Sequence, residues 1–431
     1  MNGINERVDS LTQKLDAELP AIMRRDQRYR GESRLRYAAD EVSGDLKFFG
    51  VNVCRLAVDA VAERMRVKRV AATVNGRDVS GRAHELWLHS NLDQLLSSVI
   101  VDALALGAAY LIPWVDGGGV PTITAEPATN MTVRRDPVNR RVLEAVKRWQ
   151  VLDVSGAVAE EHTIHYGPET ITHYRRAGAG EWERLAVLDH QLGQPPVVPV
   201  INLDRIGDDR GYSVIDDLGH LVDALSKILA DMLVASEDVA RPRRWATGVD
   251  LEESATPGGD DDGFIADAPA PAADPAPAAV SPFESGNRMF TVESPEARFG
   301  QLPGADLAGY KTAVDLLTQQ IMSVSALPAH MMGITSANPA SADGMRAAEA
   351  SITARAEARI RVLGIPIEHA VRLALAIDYG VSPDKVAVNL VWGSPATKSA
   401  AQEADAVTKL HSLGIITTEE AREIIGVDGL R

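Results

Sequence analysis

Apolar positions recur at helical spacing from the start of the chain. Val8, Leu11, Leu15, Leu19 and Ile22 fall at steps of three and four, which sets them on one face of a helix ending at Arg30-Gly31. A second stripe, Val51, Leu56, Val58, Val61 and Met65, follows Phe48-Phe49-Gly50, and a third, Leu92, Leu95, Leu96, Ile100 and Leu104, begins after Asn91. These predict helices around Cys54 and Val99. After Leu106-Gly107 the period shortens: AYLIPWV, TITAEP, MTVRRD, EAVKRWQ, THYRR and WERLAVL alternate or run apolar between turn residues. That predicts a strand-rich block ending near Val200.

The clearest helix follows the turn at residues 207–211. Ile215, Leu218, Leu221, Val222, Leu225, Ile228, Leu229, Met232 and Leu233 form one stripe, with Asp216, Asp217, His220, Asp223, Lys227 and Asp231 mostly opposite. The spacing predicts a helix over Tyr212–Val239, stopped by Pro242. Arg241, Arg243 and Arg244 gather at its end, which suits either a helix C-terminus or a phosphate-facing patch. Residues 251–282 are rich in Pro, Ala and Asp, and no Lys or Arg lies between Arg244 and Arg288. This composition predicts an exposed, partly extended loop, either a passive linker or a docking surface for a basic partner.

NRMFTVE and ARFGQLP read as short strands. Leu307, Tyr310, Val314, Leu317, Ile321 and Val324 then form a heptad-like stripe before Pro328. It suits burial against the chain's own preceding long helix or a seam with another subunit. HMMGITSANPASADG reads as a loop, Met345 restarts a long helix continuing to about Tyr379, and Ala400–Ser412 and Thr417–Ile425 are the last helices. Thr417 and Glu420 have capping-box spacing, and Gly426 is a plausible stop.

Composition narrows the chemistry. The chain has 431 residues, enough for several compact units, and 44 Lys+Arg against 60 Asp+Glu give a formal charge of -16. That balance disfavours broad wrapping of nucleic acid, so any DNA contact must be local or weak. One cysteine, Cys54, allows neither an internal disulfide nor a thiolate zinc site, which points to a reducing cytoplasm. The polar N-terminus and the lack of a long apolar window argue against a signal peptide and a membrane span.

Catalytic motifs fail on spacing. Gly304-Ala-Asp-Leu-Ala-Gly309-Tyr310-Lys311-Thr312 places Tyr310 where a phosphate-binding loop needs its Lys. His84 and His89 lie five residues apart, roughly 140° around a helix, and cannot share a metal from one face. They read as surface histidines flanking a buried Leu86-Trp87 pair. His162 and His165 point to opposite faces of a strand. There is no nucleophile elbow and no dinucleotide-binding glycine motif, and Asp260-Asp261-Asp262 lies in low-complexity sequence, where nothing would hold a catalytic pair. Neither an enzyme nor a cofactor nor a metal is expected.

The order of elements carries more information. RYRGESRLRYAAD, VNVCRLAVDAVAERMRV, DALALGAAYLIP, AEPATNMTVRRDP, VPVINLDRIGDDRGYSVIDDLGHLVDALSKILADMLVASEDVARPRRWATGV, FGQLPGADLAGYKTAVDLLTQQIMSVSALPAHMMG and SADGMRAAEASI occur in this sequence. The whole chain resembles the portal, or head-to-tail connector, proteins of tailed double-stranded-DNA bacteriophages, in the branch common in actinobacterial phages with long non-contractile tails.

The resemblance implies an α+β, ring-forming portal fold. Residues 1–205 and 343–395 would form the wing, 206–240 and 304–326 the two stem helices, 241–303 the clip, 327–342 a tunnel loop and 396–431 a short helical crown. The tunnel loop would present His330, Met331, Met332, Gly333, Ile334, Thr335, Ser336, Ala337, Asn338 and Pro339 to the channel. Arg241, Arg243, Arg244 and Lys311 would steer the duplex, Asp260, Asp261, Asp262 and Phe264 would serve clip docking, and the stripe from Leu307 to Val324 would pack the stem. The same resemblance implies a homo-oligomeric ring of about twelve copies at one capsid vertex. Its implied partners are double-stranded DNA, a large terminase, a head-tail adaptor, the major capsid protein and scaffold. It implies a virion protein assembled in the host cytoplasm. The alternatives are a minor head-morphogenesis or shell protein, and a ring-forming nucleic-acid motor or nuclease.

Overall fold

A computed structural model describes residues 6–33, 50–178, 180–206, 210–240, 244–247, 296, 298–301, 307–334, 341–397, 400–418 and 421–422. The chain divides into two compact units, residues 1–230 with 312–431, and residues 231–311.

In the first unit the elements run α1 (Glu6–Arg30), α2 (Val53–Ala62), β1 (Val67–Val74), β2 (Arg77–Asp78), α3 (Ser80–His89) and α4 (Leu92–Leu106). The strand-rich block follows as β3 (Ala108–Val115), β4 (Pro121–Pro127), β5 (Met131–Arg135), β6 (Val142–Leu152), β7 (Val158–Tyr166), β8 (Thr170–Ala177), β9 (Glu183–Asp189) and β10 (Val198–Ile201). The helix α5 spans Val214–Ala240, two residues inside the predicted start, because Tyr212 and Ser213 cap the turn rather than join the helix. After β11 (Arg244–Thr247) and β12 (Arg298–Gln301) come α6 (Ala308–Ser325), α7 (Ala342–Ala348), α8 (Ala350–Tyr379), β13 (Val386–Trp392) and α9 (Ala400–Ser412).

Among the described residues, three antiparallel sheets build this unit. One has the order β13-β1-β2, one β10-β3-β4, and one is the five-stranded meander β5-β6-β7-β8-β9. In the first, Val70 faces Leu390, Ala72 faces Val388 and Val74 faces Val386, so each strand turns its apolar positions inward and its polar ones out. Helix α8 is the keel of the main core. Leu363, Ile367, Ala370, Leu373, Ala374 and Leu375 are buried, and they lie among β13, β10 and β3. Leu86 and Trp87 are buried while His84 and His89 are exposed, as the spacing predicted. Cys54 is buried in the same core, and burial pushes its thiol up to about 11, so it is not a ready thiolate.

The five-stranded sheet carries α1 across one face. Val8 and Leu11 pack on Val146 beside Tyr174 and Trp182, and Arg148 reaches Asp16 at 2.5 Å. His162 bonds His173 at 3.1 Å and stacks on Trp149, whereas His165 lies near Glu144, so the two strand histidines do point apart.

The second unit is described through the C-terminal end of α5, the β11-β12 pair and the first residues of α6. Trp245 faces Gly300 and Ala246 faces Phe299 in that antiparallel pair. ARFGQLP therefore does contain a strand, while NRMFTVE lies outside the described residues.

Candidate channel site

The segments of interest are α5, α6, the turn after α6 and the break between α7 and α8. The first half of α5 is fastened to α1 by two arginines. Arg25 takes both oxygens of Asp216, at 3.0 and 2.5 Å, and Arg28 reaches Asp223 at 2.7 Å. Paired, partly buried guanidiniums of this kind fix orientation as well as adding stability. Gly219 makes the approach possible, because a Cβ there would collide with the Arg28 guanidinium.

Helix α6 turns its stripe inward within one chain. Ile321 is fully buried, and Val314, Leu317 and Val324 pack partly buried on the main core. These four positions are thus buried, wholly or in part, against the chain's own main core. Leu307 and Tyr310 are half-buried in the other unit, and Lys311 is exposed. The helix ends under tight control: Ser325 donates to the Ile321 carbonyl at 2.7 Å and accepts from the Leu327 amide at 3.2 Å. Arg355 donates to the Val324 carbonyl at 2.7 Å, placing a cation at the negative end of the helix dipole.

Ala326 then adopts φ +59, the left-handed region. A side chain there is strained, so Ala326→Gly is expected to raise stability by about 0.5–1 kcal/mol. Chemical denaturation checks this, and an unchanged or lower midpoint would refute it.

The root of the loop is a short 3-10 turn, Ala329–Met332, closed by Gly333 at φ +73. Met331 and Met332 pack partly buried against the main core and Ile334 is exposed. Thr335, Ser336, Ala337, Asn338 and Pro339 lie outside the described residues, as do Arg241, Arg243, Asp260, Asp261, Asp262 and Phe264. Arg244 heads β11, past the end of α5, opposite Gln301.

A carboxylate absent from the sequence-based expectations organises this root. Glu349 sits at the break between α7 and α8. It accepts from Arg64 at 3.1 Å and from Thr397 at 2.5 Å, and lies 3.3 Å from His330. Burial works to raise the Glu349 carboxyl, but Thr397, Arg64 and nearby His330 outweigh it and hold it below its ordinary value. Four segments distant in sequence thus meet at one side chain: the end of α2, the 3-10 turn, the helix break and the stretch after β13.

Removing this carboxylate leaves the largely buried Arg64 without its counter-charge. Glu349→Ala is expected to cost about 2 kcal/mol and Glu349→Gln roughly half of that, since the amide keeps an acceptor. Urea midpoints test this, and equal losses in both variants would show that charge plays no part.

No group of three His, Cys, Asp or Glu that could hold a metal ion occurs among the described residues. Among those residues, too, no helix is long and apolar enough to cross a membrane.

The family profile of phage portal proteins of the SPP1 Gp6-like type matches residues 8–429. The portal protein of Mycobacterium phage L5 is 31% identical over 389 residues, covering 86% of this chain and 75% of that protein. That of Mycobacterium phage D29 is 30% identical over 393 residues, with the same coverage. Among solved structures, a chain in the virion of a native gene transfer agent particle aligns over 93% of both chains, with 14% identity and a TM-score of 0.43. One in the neck of that particle, computed with C12 symmetry, covers 86% of this chain and 88% of the other, with 16% identity and a TM-score of 0.43. These structural likenesses are too distant to argue from. The family match, spanning nearly the whole chain, and the two phage relatives place this chain in the SPP1 Gp6-like family of phage portal proteins.

Proposed function

We propose that the chain assembles head-to-tail into a closed ring of about twelve copies at one vertex of a phage capsid. The ring is the channel through which a terminase packages double-stranded DNA and through which the genome later leaves. The family match over residues 8–429 carries this reading. The fold adds physical support: α5 is strapped to α1 by Arg25 and Arg28, α6 is seated in the core by Ile321, and the loop after α6 is rooted by Met331, Met332 and Glu349. The segment from Gly333 to about residue 342, with packed side chains at its base, is the stretch that would form a constriction meeting moving DNA.

The role is structural, with chemistry left to the terminase. An acidic chain also suits a channel that must let DNA slide, because each phosphate neutralised adds counterion-release affinity that would hold the duplex in place. Arg241, Arg243, Arg244 and Lys311 steer the duplex, and the acidic run Asp260–Asp262 with Phe264 docks the terminase or the head-tail adaptor. Residues 1–205 and 343–395 serve as the wing facing the major capsid protein and scaffold. The protein is assembled in the host cytoplasm and resides in the virion.

Native mass spectrometry with negative-stain class averages tests this on the purified full chain. A closed ring of about twelve copies with an axial hole wide enough for B-DNA is the expected result. A stable monomer or dimer at every protein concentration, or intrinsic ATP hydrolysis with terminase excluded, would overturn it.

A further inference from the structure

A cavity of about 300 Å³ opens between α1 and the strands β3 and β5. It plays no part in the channel reading. The small side chains of Ala17 and Ala21 on the helix and Ala108 on the strand create the space. A void left by imperfect packing is apolar and dry. This one is lined by Lys14 and Arg25 from α1, Arg134 and Arg135 from β5, and Arg210 from the segment before α5, with Glu18 as the one lining carboxylate among the described residues.

Not all of that charge is balanced from outside the cavity. Arg25 is held by Asp216 and Arg134 by Glu144, and Glu18 lies 3.5 Å from Arg210. Among the described residues Lys14, at the solvent-facing mouth, has no carboxylate within ion-pair reach; its ammonium donates to the Val133 carbonyl at 2.8 Å. An ammonium bonded to a neutral oxygen, at the mouth of a cavity that guanidiniums also line, is placed to take an anion as its counter-charge. The wall behind these cations offers hydroxyls. Thr132 is buried and bonded to Tyr110, which is itself buried.

From this arrangement we infer that the cavity is a binding site for a small phosphate-bearing molecule. The volume is at the lower end of the range for small-molecule pockets, large enough for a phosphoryl group and a short body but not for a folded segment of a partner. The cations reach it from a helix, a strand and the segment before α5, so they approach from several sides. A tetrahedral anion can accept from several directions at once, whereas a single carboxylate presents two oxygens in one plane. The apolar alanines and Ile22 on the helix side leave room for a short carbon chain. This inference does not depend on ring formation.

The test uses the full-length protein and inorganic phosphate as the probe, with sodium chloride at matched ionic strength as control. Binding is read by isothermal titration calorimetry and by the shift in thermal midpoint, which rises with ligand only if the folded state binds it. Lys14→Met removes the charge while keeping most of the unbranched apolar stem. Ala17→Leu fills the cavity without altering charge and stands in if Lys14→Met fails to fold.

Saturable phosphate binding that chloride does not reproduce, weakened at least tenfold in each folded variant, is the expected result. No binding beyond the chloride control, or wild-type affinity in either folded variant, would overturn the proposal.

Discussion

Gly211→Ala is expected to be the most damaging conservative substitution in the first unit. Gly211 has φ +77, and a Cβ on it would lie 2.0 Å from the Gly107 carbonyl oxygen, 2.7 Å from its carbon and 3.0 Å from Ile201 Cγ2. The first two of those neighbours are backbone, so no rotamer change relieves the overlap, and the chains must separate. Separation strains the bonds that join the end of α4 to the start of α5: Asn202 to the Gly107 carbonyl, Tyr212 to the Asn202 carbonyl and Ser213 to the Ala105 carbonyl.

A backbone collision combined with a left-handed φ predicts a loss of about 4 kcal/mol, or a thermal midpoint lowered by roughly 5 °C in a unit of this size. Gly119→Ala is the matched control, since Gly119 has φ +78 but open space around it. It should lose only about 1 kcal/mol. Calorimetry of the two variants distinguishes collision from conformational strain, and equal midpoints would refute the close approach.

The second large effect concerns two buried groups that titrate in opposite senses. Burial lowers the His369 imidazole to about 4, aided by the charges of Arg372 and Arg141. Burial raises the Asp102 carboxyl to about 6, aided by Asp26 and opposed by Arg30. For His369 the folded value lies below the unfolded one, near 6.5. Its contribution is complete above that pH and is lost as pH falls from about 6.5 to about 4.

Asp102 runs the other way. Its folded value lies above the unfolded one, so its ionisation destabilises the fold at neutral pH, and acidification from about 6 to about 3.8 relieves that cost. Each shift corresponds to about 3 kcal/mol. Asp102→Asn should therefore gain that amount over wild type at pH 7, and the gain should vanish below about pH 4. His369→Gln should flatten the decline in stability between pH 6.5 and 4. Denaturation midpoints across pH 4–7.5 measure both difference curves, and a pH-independent difference for either variant would contradict the assignment.

Local patterning carried much of the secondary structure. The stripes in α1, α4, α5 and α6 fall in helices where the spacing placed them, because a helix must bury one face whatever it packs against; around α2 the stripe is displaced, since Val51 is exposed ahead of the helix and Met65 lies beyond its end. The end of α1 at Arg30 followed from Gly31, which takes φ +77 in the structure. The strand-rich block was likewise legible, since alternation and turn residues are local signals.

The sheet that joins β1 to β13 was not legible. Its two strands are more than 300 residues apart, and nothing in VKRVAATV or VAVNLVW names the other as its partner. The break between α7 and α8 was hidden for a related reason. MRAAEASITARAEARIRVLG has high helix propensity throughout, and the interruption at Glu349 serves tertiary bonds to Arg64 and Thr397.

The main helices, the strand-rich block, the acidic balance, the lack of catalytic motifs and the family resemblance were thus determined by the sequence itself. Tertiary structure alone decided that Met331 and Met332 pack on the core, that Glu349 gathers four segments, that Gly107 and Gly211 cross in contact and that cations from α1 and β5 line one open cavity. The reason is physical: helical and strand periodicity act over a few residues, whereas ion pairing, close packing and burial depend on which distant segments the fold brings together.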